Sequence, residues 1–121
     1  MTKVCTPPMR GTLRYERLYR GEGSTTSVPD EDTLAGLLAR SFAGTDKDFG
    51  RRIAALRRCA PGPRLLEIGS SWGYFLHQAR AQGLQATGVE IAATRRAFGI
   101  RRLGLRIAAD LAELPPRSFD L

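Results

Sequence analysis

From Asp30 onward the apolar positions recur at helical intervals, and after Pro63 the rhythm shortens to that of strands. "DEDTLAGLLARSF" sets Leu34, Leu37, Leu38 and Phe42 on one face, behind an N-cap at Asp30 and acids in the first turn, with Gly44 as the stop. A second helix is predicted with Asp46 as cap and Phe49, Ile53, Leu56 and Cys59 at helical spacing, closed by "APGP". "RLLEI" then reads as a compact strand, "GSSWG" as a glycine-bounded turn, and "YFLHQARAQ" as a helix with Phe75, Leu76 and Ala79 on one face and Gly83 at its end. "QATGVEI" is a second strand ending at Glu90, "AATRRAFGIRRLG" a helix, "LRIAAD" a third strand, "LAELPPRS" a loop, and "FDL" the start of a fourth strand. Strands alternating with helices predict a parallel α/β sheet with right-handed crossovers, preceded by N-terminal helices.

Such sheets bind ligands beyond the carboxyl ends of their strands. Glu67 to Gly73, Glu90 and Asp110 all fall at those ends. The first of them, "LLEIGSSWGYFL", contains two loops at once. Gly69-Ser70-Ser71-Trp72-Gly73 satisfies G-x-S-x-G, the turn that carries a hydrolase's nucleophilic serine. That chemistry needs an acid and then a histidine downstream, and the sole histidine, His77, lies only six residues on, in the helix the turn begins. A dinucleotide loop, G-x-G-x-x-G, fails at Ser71 and at Tyr74, and a phosphate-binding G-x-x-x-x-G-K-[ST] is absent. Ser71 therefore reads as a small residue in a binding loop.

What remains is similar to a third pattern. Residues 64 to 121 resemble the class I S-adenosylmethionine-dependent methyltransferases, with "LLEIGSSWGYFL" as first motif, "GVEI" as second, and "AADLAELPPRSFDL" running from the third strand into the fourth. The resemblance implies a Rossmann-like sheet and S-adenosylmethionine as methyl donor. It implies that Gly69, Ser71 and Gly73 form the cofactor turn and that Glu67 lies near the cationic methionine part. Glu90 would accept from the ribose hydroxyls, Asp110 from the adenine amino group, and Leu111 would contact the ring. Ser71 departs from the commonest form of the motif, which has a second glycine there. Tyr15 and Tyr19 resemble the N-terminal lid aromatics of such enzymes, and Trp72 either leans over the cofactor or packs on the preceding helices. The two helices of 30 to 60 are expected to cover one sheet face.

Composition narrows the setting. The chain has 121 residues, 42% hydrophobic and 26% charged, ordinary for a folded domain. Residues 1 to 29, rich in Gly, Pro, Ser and Thr, read as a flexible segment, with a short helical turn in "LRYERLYR" carrying Leu13, Tyr15, Leu18 and Tyr19. No run approaches the ~20 apolar residues needed to span a bilayer, and the start lacks a secretory signal. Cys5 and Cys59 stand in no metal-ligand or C-x-x-C spacing, which suits a reducing cytoplasm, and Cys59 is expected to be a buried small hydrophobe. The net charge is +7, with 17 arginines, eight of them in the scattered pairs Arg51-Arg52, Arg57-Arg58, Arg95-Arg96 and Arg101-Arg102. Such pairs usually form solvated helix faces, so a small-molecule methyl acceptor is expected ahead of nucleic acid.

The family's acceptor-side residues come mostly from the fourth strand onward, so no catalytic residue is assigned here. The chain is expected to be the N-terminal part of a methyltransferase domain, an incomplete half of the sheet, with one edge of "RLLEI" lacking most of its partner. The alternative is a non-catalytic cofactor-binding or interaction module.

Overall fold

The computed structural model describes residues 27–116 and 119–121. The expected turn around Tyr15 and Tyr19, Cys5, and most of the segment 1 to 29 lie outside the described residues. Helices α1 (Glu31–Ala39) and α2 (Gly50–Cys59) precede β1 (Arg64–Ile68), α3 (Tyr74–Ala81), β2 (Gln85–Val89), α4 (Ala93–Leu103) and β3 (Arg106–Ala108). A single 3-10 turn, Leu111–Glu113, follows. The three strands form one all-parallel sheet in the order β1-β2-β3, the arrangement of half a Rossmann-like sheet.

The expected elements form for the expected reasons, with two corrections in the helical part. Asp30 caps α1 by accepting the Thr33 N–H at 2.7 Å. The helix stops at Ala39, however, and Ser41 (φ 50°) and Phe42 (φ 65°) turn the chain through the left-handed region. Phe42 thus reaches the core, fully buried, from a turn and not from the helical face. Asp46 is not the cap of α2: the helix begins at Gly50, with Phe49 as its N-cap and the Asp48 carboxylate accepting the Gly50 N–H at 3.1 Å.

Cys59 is exposed, against the expectation that it is buried. At 3.6 residues per turn it lies some 120° around α2 from the buried Ile53, off the face turned to the core. That face rests on α3, held by two glutamines. Gln78 accepts the Phe49 N–H at 2.9 Å and donates to the Lys47 carbonyl at 2.7 Å, while Gln82 donates to the Gly50 carbonyl at 2.9 Å. α3 in turn packs against β2, so α2 is a second layer over the sheet.

On the edge of β1 away from β2, the Asp120 N–H donates to the Arg64 carbonyl at 2.7 Å and the Leu66 N–H to the Leu121 carbonyl at 3.0 Å. A forked Arg64–Asp120 ion pair at 3.1 Å reinforces this contact. The chain at 120–121 therefore runs beside β1, where the fourth strand is expected, giving "RLLEI" a partner at its start.

The β1–α3 turn fixes the entry of α3. Gly69, Ser71 and Gly73 have φ of 76°, 55° and 99°. A Cβ at Gly73 would lie 2.2 Å from Leu105 Cδ1, so both conformation and space demand glycine there. Gly73→Ala is expected to destabilise the fold by roughly 2–4 kcal/mol, from left-handed strain plus overpacking. Ser71→Gly should change stability by no more than roughly 1 kcal/mol, since relief of strain offsets the added freedom of the unfolded chain. Urea unfolding of both variants checks the pair, and equal losses would show that the turn does not discriminate between these positions.

Candidate functional site

The turn after β1 is tied to the end of β2. The N–H groups of Gly69 and Ser70 donate to the Val89 carbonyl at 2.8 and 3.1 Å, and the Ser71 N–H donates to Glu90 Oε1 at 2.7 Å. Glu90 Oε2 accepts the Ala92 N–H at 2.8 Å, so one carboxylate holds the turn on one side and the start of α4 on the other. Only 1% of Glu90 is exposed. In this arrangement its carboxylate is a clamp facing inward, and a ribose hydroxyl reaches it only by exchange with one of these backbone bonds.

Glu67 aligns with Gly88 across the β1–β2 pair, two residues before Glu90, which puts both acids on the same sheet face. Its Oε1 is enclosed and has no hydrogen-bond partner among the described residues. Burial, aided by the neighbouring Glu90 carboxylate, pushes its carboxyl up to about 8. Asp110 is exposed and caps the 3-10 turn by accepting the Ala112 N–H at 2.9 Å. Leu111 beside it is 48% exposed.

Over the outer side of the turn lies a cavity of about 510 Å³, within the range of small-molecule sites. Gly69 and Ser71 form its floor, Trp72 and Tyr74 its aromatic wall, and Lys47 and Arg95 bring positive charge to it. A Cβ on Gly69 would meet nothing within 4 Å, so the backbone there is open to a ligand's approach. Of the residues expected at the site, the cavity gathers Gly69 and Ser71. Glu67 and Glu90 lie beneath the turn, Gly73 is packed under Leu105, and Asp110 and Leu111 stand at the end of β3.

Trp72 is buried in the core as well as lining the cavity. Its ring meets Phe42 at 6.2 Å and Phe98 of α4 at 5.6 Å, edge-on to the latter. The hydrolase reading finds no triad. The His77 ring packs 5.8 Å from Phe42, its Nδ1 is enclosed without a partner, and no hydrogen bond joins it to Ser71 among the described residues. Burial, with the Arg80 charge nearby, holds His77 below its ordinary value.

Four residues escaped sequence reasoning: Ile68, Ile91, Lys47 and Arg95. Ile68 and Ile91 are exposed by 37% and 39%, and with Leu111 they place an exposed aliphatic side chain directly after the acid at each of three neighbouring strand ends. The signal is present in the sequence as Glu67-Ile68, Glu90-Ile91 and Asp110-Leu111. Lys47 and Arg95 gave none, because their convergence depends on how α1, α2 and α4 pack. Among the described residues no helix is long and apolar enough to cross a membrane. No family model matches the chain, and no curated protein matches it either.

The buried Glu67 carboxyl makes stability pH-dependent. With its folded pKa above the ordinary 4.5, the native state binds the extra proton, so stability falls as pH rises from there to about 8 and levels beyond. Glu67→Gln should remove that fall, gaining on the order of a few kcal/mol at pH 8 relative to wild type and little at pH 4.5. His77 contributes with the opposite sign, rising in pH towards 6.5, in both proteins alike. Urea unfolding across this range measures the difference, and parallel curves would show Glu67 ionised in the native state.

Proposed function

We propose that this chain binds S-adenosylmethionine along the carboxyl edge of its sheet and carries the donor side of a methyltransferase. The observation that carries this reading is the acid-plus-exposed-aliphatic pair at three successive parallel strand ends, beside an open glycine turn and a cavity of about 510 Å³. Large apolar side chains exposed together at strand ends suit a flat heterocycle, and carboxylates beside them suit the donors of a nucleoside.

The residues present fit such a ligand. The enclosed, unpartnered Glu67 oxygen lacks a donor, which a cationic amino-acid moiety supplies. Asp110 accepts from Ala112 through Oδ1 alone among the described residues, which leaves Oδ2 for an exocyclic amino group. Ile68, Ile91 and Leu111 offer contact area and exclude water. Gly69 lets the ligand approach the backbone, and Glu90 holds the turn in the shape that permits it. When bound, S-adenosylmethionine supplies an electrophilic methyl on a sulfonium, and in-line transfer from it depends chiefly on positioning.

Isothermal titration with S-adenosylmethionine, alongside a methyl-transfer assay, tests the reading. Saturable binding is expected. Leu111→Asn should weaken it severalfold with the melting temperature unchanged, because the side chain is largely in solvent. Glu90→Ala should weaken it at least tenfold, about 1.4 kcal/mol or more, and lower stability as two backbone N–H groups lose their acceptor. Absence of both heat and thermal stabilisation at millimolar donor would remove the proposal. Binding without turnover would leave a cofactor-binding module.

A further inference from the structure

Some of the arginines are held by partners within the fold, whereas Arg40, Arg101 and Arg106 are exposed and join no ion pair among the described residues. Arg64 pairs with Asp120, Arg102 with Glu31, and Arg80 donates to the Leu103 and Gly104 carbonyls at the end of α4. Arg96 donates to the Glu90 carbonyl at 2.7 Å. These side chains close the ends of elements and join them. α2 differs. Its ten residues include Arg51, Arg52, Arg57 and Arg58, all exposed, and no acid. None of the four joins an ion pair among the described residues, and Arg52 instead stands over the Phe49 ring at 5.5 Å.

Two of the four work against the fold's own needs, while Arg57 and Arg58 stand in the last turn, where the helix dipole favours cations. Arg51 and Arg52 occupy the first turn, where the helix dipole disfavours cations, and Phe49 offers no side-chain cap there. The nearby acids are engaged elsewhere: Asp46 pairs with Lys47, and Asp48 accepts the Gly50 N–H. At 3.6 residues per turn Arg51 and Arg58 point directly away from the side marked by Ile53 and Leu56. They are about 10 Å apart along the axis, whereas Arg52 and Arg57 lie roughly 110° to either side, at the borders of the packed face. The result is two arginines on the outermost line of α2 and one at each border of its exposed surface.

We infer that this face of α2 docks the phosphate backbone of a nucleic acid. Guanidinium groups bind phosphate oxygens through paired, planar hydrogen bonds, and uncompensated positive charge on one ridge is the electrostatic footprint of such binding. A lipid surface fits less well, because an interfacial helix turns its apolar side to the lipid, whereas that side of α2 is packed on α3. The loop leading into α2 also lines the cavity through Asp46 and Lys47, so the docked chain lies next to the candidate site. The inference does not depend on methyl transfer, and its test contains no methyl donor.

The test compares two double variants of equal charge change in the full chain: Arg51→Gln with Arg58→Gln, and Arg101→Gln with Arg106→Gln, exposed arginines off α2. Fluorescence anisotropy with labelled single-stranded RNA and duplex DNA of mixed sequence is read from low to physiological salt. The α2 pair should weaken binding at least fivefold and reduce the slope of log affinity against log salt by about 1.4 on RNA or 1.8 on duplex. The control pair should change affinity less than twofold. Equal losses in the two variants, or no binding to either nucleic acid, overturn the inference. Binding to phosphatidylserine vesicles without binding to nucleic acid overturns it in favour of a membrane.

Discussion

The candidate site depends on one buried carboxylate. Glu90 gives its two oxygens to the Ser71 and Ala92 N–H groups, and so joins the turn after β1 to the start of α4 across the end of β2. A turn with three residues at positive φ has few backbone donors that can bond within it, and a charged acceptor at short distance answers that need more strongly than a neutral one. With the turn held, Gly69 stays open on the cavity side, Gly73 takes the Leu105 side chain on the other, and α3 starts in the direction that lays Leu76 and Ala79 into the core.

Glu67 is the counterpart of that clamp. Two acids on one face of adjacent strands cannot both be charged and enclosed without penalty, and among the described residues Glu90 has a donor for each oxygen whereas Glu67 Oε1 has none. Glu67 therefore carries a raised carboxyl and an unpaired atom, a local cost that the rest of the fold tolerates. Unsatisfied polar atoms are rare in folded interiors, and each calls for a physical account in strain, function, or a bound water or ion.

Positive charge follows a similar division of labour. Arg80 on α3 and Arg96 and Arg102 on α4 end on carbonyls or an acid and tighten the sheet layer, whereas the four on α2 are exposed and join no ion pair among the described residues. The composition alone treats these residues alike. The packing of α2 on α3 through Gln78 and Gln82 decides which side of the helix remains outside.

The sequence by itself determined the order of elements, the parallel sheet and the acids at its strand ends, because these rest on local periodicity and on glycine and proline signals. β1 has the range read from "RLLEI", and the turn that follows it is the glycine-bounded "GSSWG", with Ser71 at φ 55° between its glycines. The tertiary structure decided what local signals do not encode. Phe42 enters the core from a left-handed turn, Cys59 lies exposed off the packed face, and Glu90 turns inward to backbone donors. Each of these outcomes depends on a partner remote in sequence, which no periodicity reports. The aliphatic residues after each acid were legible as a repeated pair of letters. Their exposure on one edge became visible only when three strands lay side by side.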